Sequence, residues 1–123
     1  MKITSFAPLI VTQNAEATIK LFEDMGFEVK HTKGGIEGGS NTNVQLKDAS
    51  GNRVNVASSK TIPQDLTAIT INVDNFQEAY DFLIARGFVN PRGDKTTDTG
   101  SSLATLLFSP SGMAVNITEH KKD

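Results

Sequence analysis

Asn55 and Asn116 are the residues of this chain whose type and spacing most suggest chemistry. Each stands between two apolar residues, Val54 and Val56 in one case and Val115 and Ile117 in the other. The phrases that carry them are Asp48-Ala49-Ser50-Gly51-Asn52-Arg53-Val54-Asn55-Val56 and Ser109-Pro110-Ser111-Gly112-Met113-Ala114-Val115-Asn116-Ile117. They lie 61 residues apart (116 − 55 and 112 − 51). A carboxamide offers an acceptor oxygen and N–H donors, and leaving it unpaired in a part-buried place costs about 1–3 kcal/mol. Asn55 and Asn116 can bond each other, a water, a polar group of a ligand, or neighbouring backbone.

Other reactive side chains are sparse. There is no cysteine, so no thiolate nucleophile and no disulfide framework. His31 falls on an expected strand and His120 in the tail, each by itself, and a solitary imidazole is more often a surface or hydrogen-bonded group than a metal ligand. Glu23, Asp24, Asp74 and Asp81 sit on or beside expected helices and read as solvated surface. No nucleophile stands beside a base. The glycine-rich run 33–41 lacks the Gly-Lys-Ser/Thr ending that cradles phosphate, so it reads as a connection or lid between strands.

Twelve basic and fourteen acidic side chains give a net charge of −2. That balance supplies no positive stripe for a phosphate backbone, so nucleic acid is not an expected partner. No run approaches the roughly 18 apolar residues of a membrane span, nor is there a secretory apolar core after Met1. A cytoplasmic chain with no membrane partner is expected.

The elements that must hold Asn55 and Asn116 repeat in order. In the first copy Phe6 to Val11 reads as a strand, and Asn14 is expected to cap a helix whose apolar stripe is Ala15, Ile19, Phe22 and Met25. Gly26 ends it. Phe27, Val29 and His31 alternate with polar residues, predicting a strand with one buried face. Val44 and Leu46, the turn Asp48 to Asn52, and Val54 to Ala57 make a hairpin. In the second copy Ile69, Ile71 and Val73 alternate with Thr70 and Asn72, so a wet face is expected there. Asn75 and Glu78 resemble a capping box, followed by the stripe Phe76, Ala79, Tyr80 and Leu83 and the stop at Gly87. Residues 90–100 read as a surface loop or ragged edge strand, and Leu103 to Phe108 with Ala114 to Ile117 as the closing hairpin. The tail from Glu119 is expected to fray. Lys60 to Asp65 links the copies.

In element order, spacing and duplication the chain resembles the vicinal oxygen chelate superfamily, which includes glyoxalase I, the bleomycin resistance proteins and the extradiol dioxygenases. The turns at Gly51 and Gly112 are similar to that family's turn before the last strand of each module. The resemblance implies an α+β fold: one domain, 1–123, built of module 1–60 and module 63–120. The two βαβββ modules would form a curved, mostly antiparallel eight-stranded sheet around a cleft. Family enzymes ring a divalent metal with a His on each first strand, five residues before its closing valine, and a Glu on each last strand, four after the turn glycine. Carried over, those positions are Phe6, Ala68, Asn55 and Asn116. A phenyl ring and a methyl group have no lone pair, and a neutral amide lacks a carboxylate's charge. No metal, no other cofactor and no catalytic residue is therefore expected.

What the resemblance then implies is a metal-free protein, similar in type to the bleomycin resistance proteins, that binds or sequesters a small organic molecule in the cleft between modules or subunits. Phe6, Asn55, Ala68 and Asn116 are the expected ligand-binding residues, with Phe6 either stacking on a flat ligand or packing into the core. The expected assembly is a homodimer. The alternative is a glyoxalase- or dioxygenase-related enzyme, a lyase or oxidoreductase, with an atypical or absent metal site. The sequence does not name the ligand.

Overall fold

In the computed structural model, residues 1–36 and 41–120 are described. They form eight strands and two helices: β1 (Ile3–Thr12), α1 (Ala15–Asp24), β2 (Glu28–Ile36), β3 (Asn41–Lys47), β4 (Arg53–Ser58), β5 (Leu66–Val73), α2 (Phe76–Ile84), β6 (Thr97–Asp98), β7 (Ser102–Phe108) and β8 (Ala114–His120). The class is α+β, and the order βαβββ occurs twice. Within the glycine-rich run, β2 takes Lys33, Gly34, Gly35 and Ile36, β3 begins at Asn41, and the intervening expectation of a lid lies outside the described residues.

The chain divides into two compact units, Ala7–Thr67 and a second one that joins Met1–Phe6 to the residues from Ala68 onward. In the first unit the strands pair in the order β2-β3-β4-β1, and in the second the order is β5-β8-β7-β6. Each unit closes by setting its last strand parallel to its first, with Leu9 opposite Asn55 in one and Thr70 opposite Asn116 in the other. The hairpins are antiparallel, with Gln45 opposite Asn55 and Leu106 opposite Asn116. Every one of these pairings shifts by the same 61 residues, so the duplication seen in the sequence is a duplication of register.

Each helix covers one face of its own unit's sheet. Val44, Leu46, Val54 and Val56 form the core of the first unit, with Ile10, Ala15, Ile19, Phe22 and Phe27 packed on it. Val73, Phe76, Ala79, Leu107, Val115 and Ile117 form the other. Leu46 and Leu107, again 61 apart, are almost fully buried; each such leucine contributes about 1.5–3 kcal/mol. The predicted stripe of α2 is all in contact with its core. Met25, by contrast, is exposed, because it caps α1 rather than lying in its last turn.

The helix ends carry three departures from expectation. The side chain of Asn14 makes no capping bond; the Asn14 amide instead donates to Thr12 Oγ1 at 3.0 Å. Asn75 does cap, accepting from the Glu78 amide at 3.0 Å, but the Glu78 carboxylate turns to the N-terminal ammonium of Met1. The tail does not fray at Glu119: β8 runs to His120, and Glu119 Oε1 accepts from the Phe76 amide at 2.6 Å, satisfying a first-turn donor of α2. The second unit also holds the first residues of the chain, since Lys2 and Asp74 exchange two bonds, Lys2 N to Asp74 Oδ1 at 2.6 Å and Asp74 N to Lys2 O at 3.0 Å.

The strand β2 is exposed from Glu28 to Thr32, so the predicted buried face is absent there. As an edge strand it has one neighbour, and the register shift between Val29 and His31 breaks the alternation. Its counterpart in the second unit is reduced to the bridge of Val89 with Phe108 and the two residues of β6. The connecting loop is held by Asn90, which is buried and donates to Lys95 O at 2.9 Å and to the Tyr80 hydroxyl at 3.3 Å.

The turn at Asp48 is tied by its own carboxylate, which accepts from the Asn52 side chain at 2.8 Å and from the amides of Asn52 and Ser50. The Asn52 side chain and then these amides hold the Asp48 carboxyl below its ordinary value. A depressed pKa contributes stability above the unfolded value, here 3.8, that is lost as pH falls through the folded one. Asp48→Asn is therefore expected to lower the urea midpoint at pH 7, and the gap from the parent should close as the pH drops below that range. Gly87 sits at φ +92 with Pro110 Cγ 3.1 Å from where a Cβ would be, whereas Gly26 at φ +105 has open space. Gly87→Ala should cost about 1–2 kcal/mol in urea unfolding, and more than Gly26→Ala.

Candidate functional site

Because strand side chains alternate, the parallel pairs decide which residues share a face. In the second unit Val115 and Ile117 face α2, so Ala114, Asn116 and Thr118 point to the side without a helix, joined by Ala68, Thr70 and Asn72 from β5 and by Ala104, Leu106 and Phe108 from β7. In the first unit the helix-free face comprises Leu9 and Val11 of β1, Asn43, Gln45 and Lys47 of β3, and Arg53, Asn55 and Ala57 of β4. Both asparagines are thus on helix-free faces.

The two are held differently. Asn116 donates through Nδ2 to Thr70 Oγ1 at 3.3 Å. Thr70, expected on a wet face, is only 4% exposed; its hydroxyl tolerates burial because it accepts this bond. Asn55 is 8% exposed, and the residue at the place of Thr70 is Leu9, which has no hydroxyl to offer. The same bond cannot form, and the carboxamide of Asn55 keeps its donors for another partner. Further along the faces, Thr118 Oγ1 and Asn43 Oδ1 are buried atoms without a hydrogen bond.

Ala68 is buried at 2% on the face of Asn116. Phe6 is 59% exposed. Counting back from Leu9 by alternation, the β1 residue on the face of Asn55 is Ala7, which is buried, while Phe6 points to the opposite side with Ile10. The repeat says the same, since 68 − 61 is 7. The signal that marks Ala7 is the hydrogen-bond register; counting from Val11 slips by one residue, and in a strand one residue exchanges the faces. Thr70 was also missed, because a threonine between isoleucines reads as solvent-facing.

His31 and His120 are both exposed. Among the described residues no group of three or more His, Cys, Asp or Glu is close enough to hold a metal ion. Ala7 and Ala68 present methyl groups at the first-strand positions, and the Asn116 amide is turned into a hydrogen bond with Thr70. That donor set does not fit a divalent metal. No helix of the described residues is long and apolar enough to cross a membrane.

No family model and no curated protein matches the sequence. Solved structures do match the fold. A glyoxalase/bleomycin resistance protein/dioxygenase superfamily member from Vibrio splendidus 12B01 is 16% identical with a TM-score of 0.61, over 94% of this chain and 97% of that one. Methylmalonyl-CoA epimerase of Streptomyces coelicolor, in complex with 2-nitronate-propionyl-CoA, is 14% identical with a TM-score of 0.64, over 98% and 100%. A mutant glyoxalase I from Zea mays is 15% identical with a TM-score of 0.70, over 98% of this chain and 45% of that one. At such identities the likeness establishes the fold and nothing finer.

If the Asn116–Thr70 bond anchors the face, Asn116→Ala and Thr70→Val should couple in a double-mutant cycle by about 0.5–1.5 kcal/mol. Asn55→Ala paired with Leu9→Val should not show that polar coupling. Urea unfolding of the four single and two double variants checks both.

Proposed function

We propose that this chain, which has the vicinal oxygen chelate fold, binds or sequesters a small organic molecule without a metal, on the helix-free side of its sheets. The observation that carries the proposal is the composition of those faces at the positions where the fold's enzymes hold their metal. Ala7 and Ala68 place methyl groups there, and the carboxamides of Asn55 and Asn116 supply neutral donors and acceptors. Small-molecule sites are mostly apolar with a few placed polar groups, and this pattern matches them. We place the protein in the cytoplasm and read its assembly as a homodimer, which light scattering after gel filtration checks.

A second reading, a lyase or oxidoreductase of the same fold, is favoured by the epimerase and the glyoxalase among its structural neighbours. The two readings part on metal and turnover. Protein treated with a chelator is expected to show a melting midpoint that climbs with concentration for at least one compound class in a library of small organics. Asn55→Ala should shrink that climb roughly tenfold in apparent affinity, the loss of about one anchoring hydrogen bond. Stoichiometric zinc, nickel or iron in the purified protein, with turnover of a glutathione hemithioacetal or a catechol that the chelator abolishes, would overturn the proposal in favour of the enzyme. Absence of any shift across the library would overturn it as well.

A further inference from the structure

The helix-free face of the first unit ends in a feature that folding does not require. Lys47 and Arg53 are cross-strand partners, the last pair before the turn 48–52, and they share the face of Gln45 and Asn55. Side chains directly opposite on antiparallel strands lie about 5 Å apart at Cβ, and like charges there work against the sheet. The acids around them are otherwise engaged. Glu28 lies opposite Lys47 on β2, but its carboxylate pairs with Lys30 Nζ at 3.0 Å. The Asp48 carboxylate is taken by Asn52 and Ser50. Among the described residues neither Lys47 nor Arg53 has an ion-pair partner. The equivalent pair in the second unit is Phe108 opposite Ala114, so the same hairpin forms well without the two cations.

Next to this pair the face turns neutral and then apolar. Gln45 and Asn55 are opposite one another, with Leu9 beside Asn55, followed by Val11, Ala57 and Asn43, whose buried Oδ1 has no partner. We infer that Lys47 and Arg53 anchor the anionic head of a small organic anion whose apolar body lies along the part-buried Val11 and Ala57. Asn55, lacking the threonine that occupies Asn116, supplies the neutral contact between head and body. Arginine and lysine recognise a carboxylate, sulfonate or phosphate head by charge-assisted hydrogen bonds. This inference rests on the small-molecule reading above and adds the ligand's charge and orientation to it.

The test uses three probes with one apolar body: 2-naphthoate, 2-naphthamide and 2-naphthylmethylammonium. Each is titrated into the full chain and followed by backbone NMR shifts of residues 43–57. The naphthoate is expected to bind about tenfold or more tighter than the naphthamide, with shifts centred on Lys47, Arg53 and Asn55, and to weaken as salt is raised. The ammonium should bind weakest. Lys47→Met combined with Arg53→Met should bring naphthoate down to the affinity of naphthamide and leave naphthamide unchanged, and Lys47→Arg with Arg53→Lys should keep the preference. A thermal melt of the double Met variant, expected to be at or above the parent, shows that folding is intact. Naphthoate that fails to bind, that binds no tighter than naphthamide, or that keeps its preference in the double Met variant overturns the inference. Naphthamide binding without a charge preference would do so while leaving the small-molecule reading in place; a library that produces no shift removes that reading instead.

Discussion

The parallel return of a last strand beside a first strand is the constraint from which each unit follows. A parallel neighbour cannot be reached by a tight turn. The chain must travel through a helix and a hairpin before β4 reaches β1 or β8 reaches β5, and the helix then has one sheet face available to cover. The pairing of Leu9 with Asn55 and of Thr70 with Asn116 fixes which side chains go under the helix. Val54, Val56, Val115 and Ile117 are buried there for that reason, and the asparagines between them are sent to the other side. The placing of Asn55 and Asn116 on the helix-free faces is thus a consequence of register.

Duplication supplies the scaffold and divergence supplies the differences. The hairpins of the two copies superpose residue for residue in their pairing, and the turns share the bond from the first turn residue's amide to the fifth residue's carbonyl, Asp48 to Asn52 and Ser109 to Met113. What changed are side chains on the helix-free faces. Leu9 stands for Thr70, Lys47 for Phe108 and Arg53 for Ala114. Leu9, Thr70 and Ala114 are buried whereas Arg53 is exposed, so the exchanges alter both the covered part of each helix-free face and its rim.

Much of the architecture is legible in the amino acids because it is periodic. The helices that stop at Gly26 and Gly87, the hairpins around Gly51 and Gly112, and the cores of alternating valine, leucine and isoleucine all follow from spacing alone. The features that escape are those settled by one partner far away in the chain. Asn14 looks like a cap yet its side chain makes no capping bond, and Glu119 looks like a loose end yet reaches the amide of Phe76. Thr70 reads as solvent-facing until its bond to Asn116 is known. Phe6 rather than Ala7 is chosen when a strand is counted from its end instead of from its neighbour, an error of a single position that reverses the face.

The bonds that span the second unit set an order on biosynthesis. Residues Ala7–Thr67 hold β2, β3, β4 and the part of β1 that pairs with β4, so those pairings are available before the second unit is made. Lys2 has to wait for Asp74, 72 residues later, and the first turn of α2 has to wait for Glu119, 43 residues after Phe76. Lys2 is therefore among the last of the described residues to settle. A nascent chain stalled before Glu119 would hold α2 with its Asn75 cap but with the Phe76 amide unsatisfied.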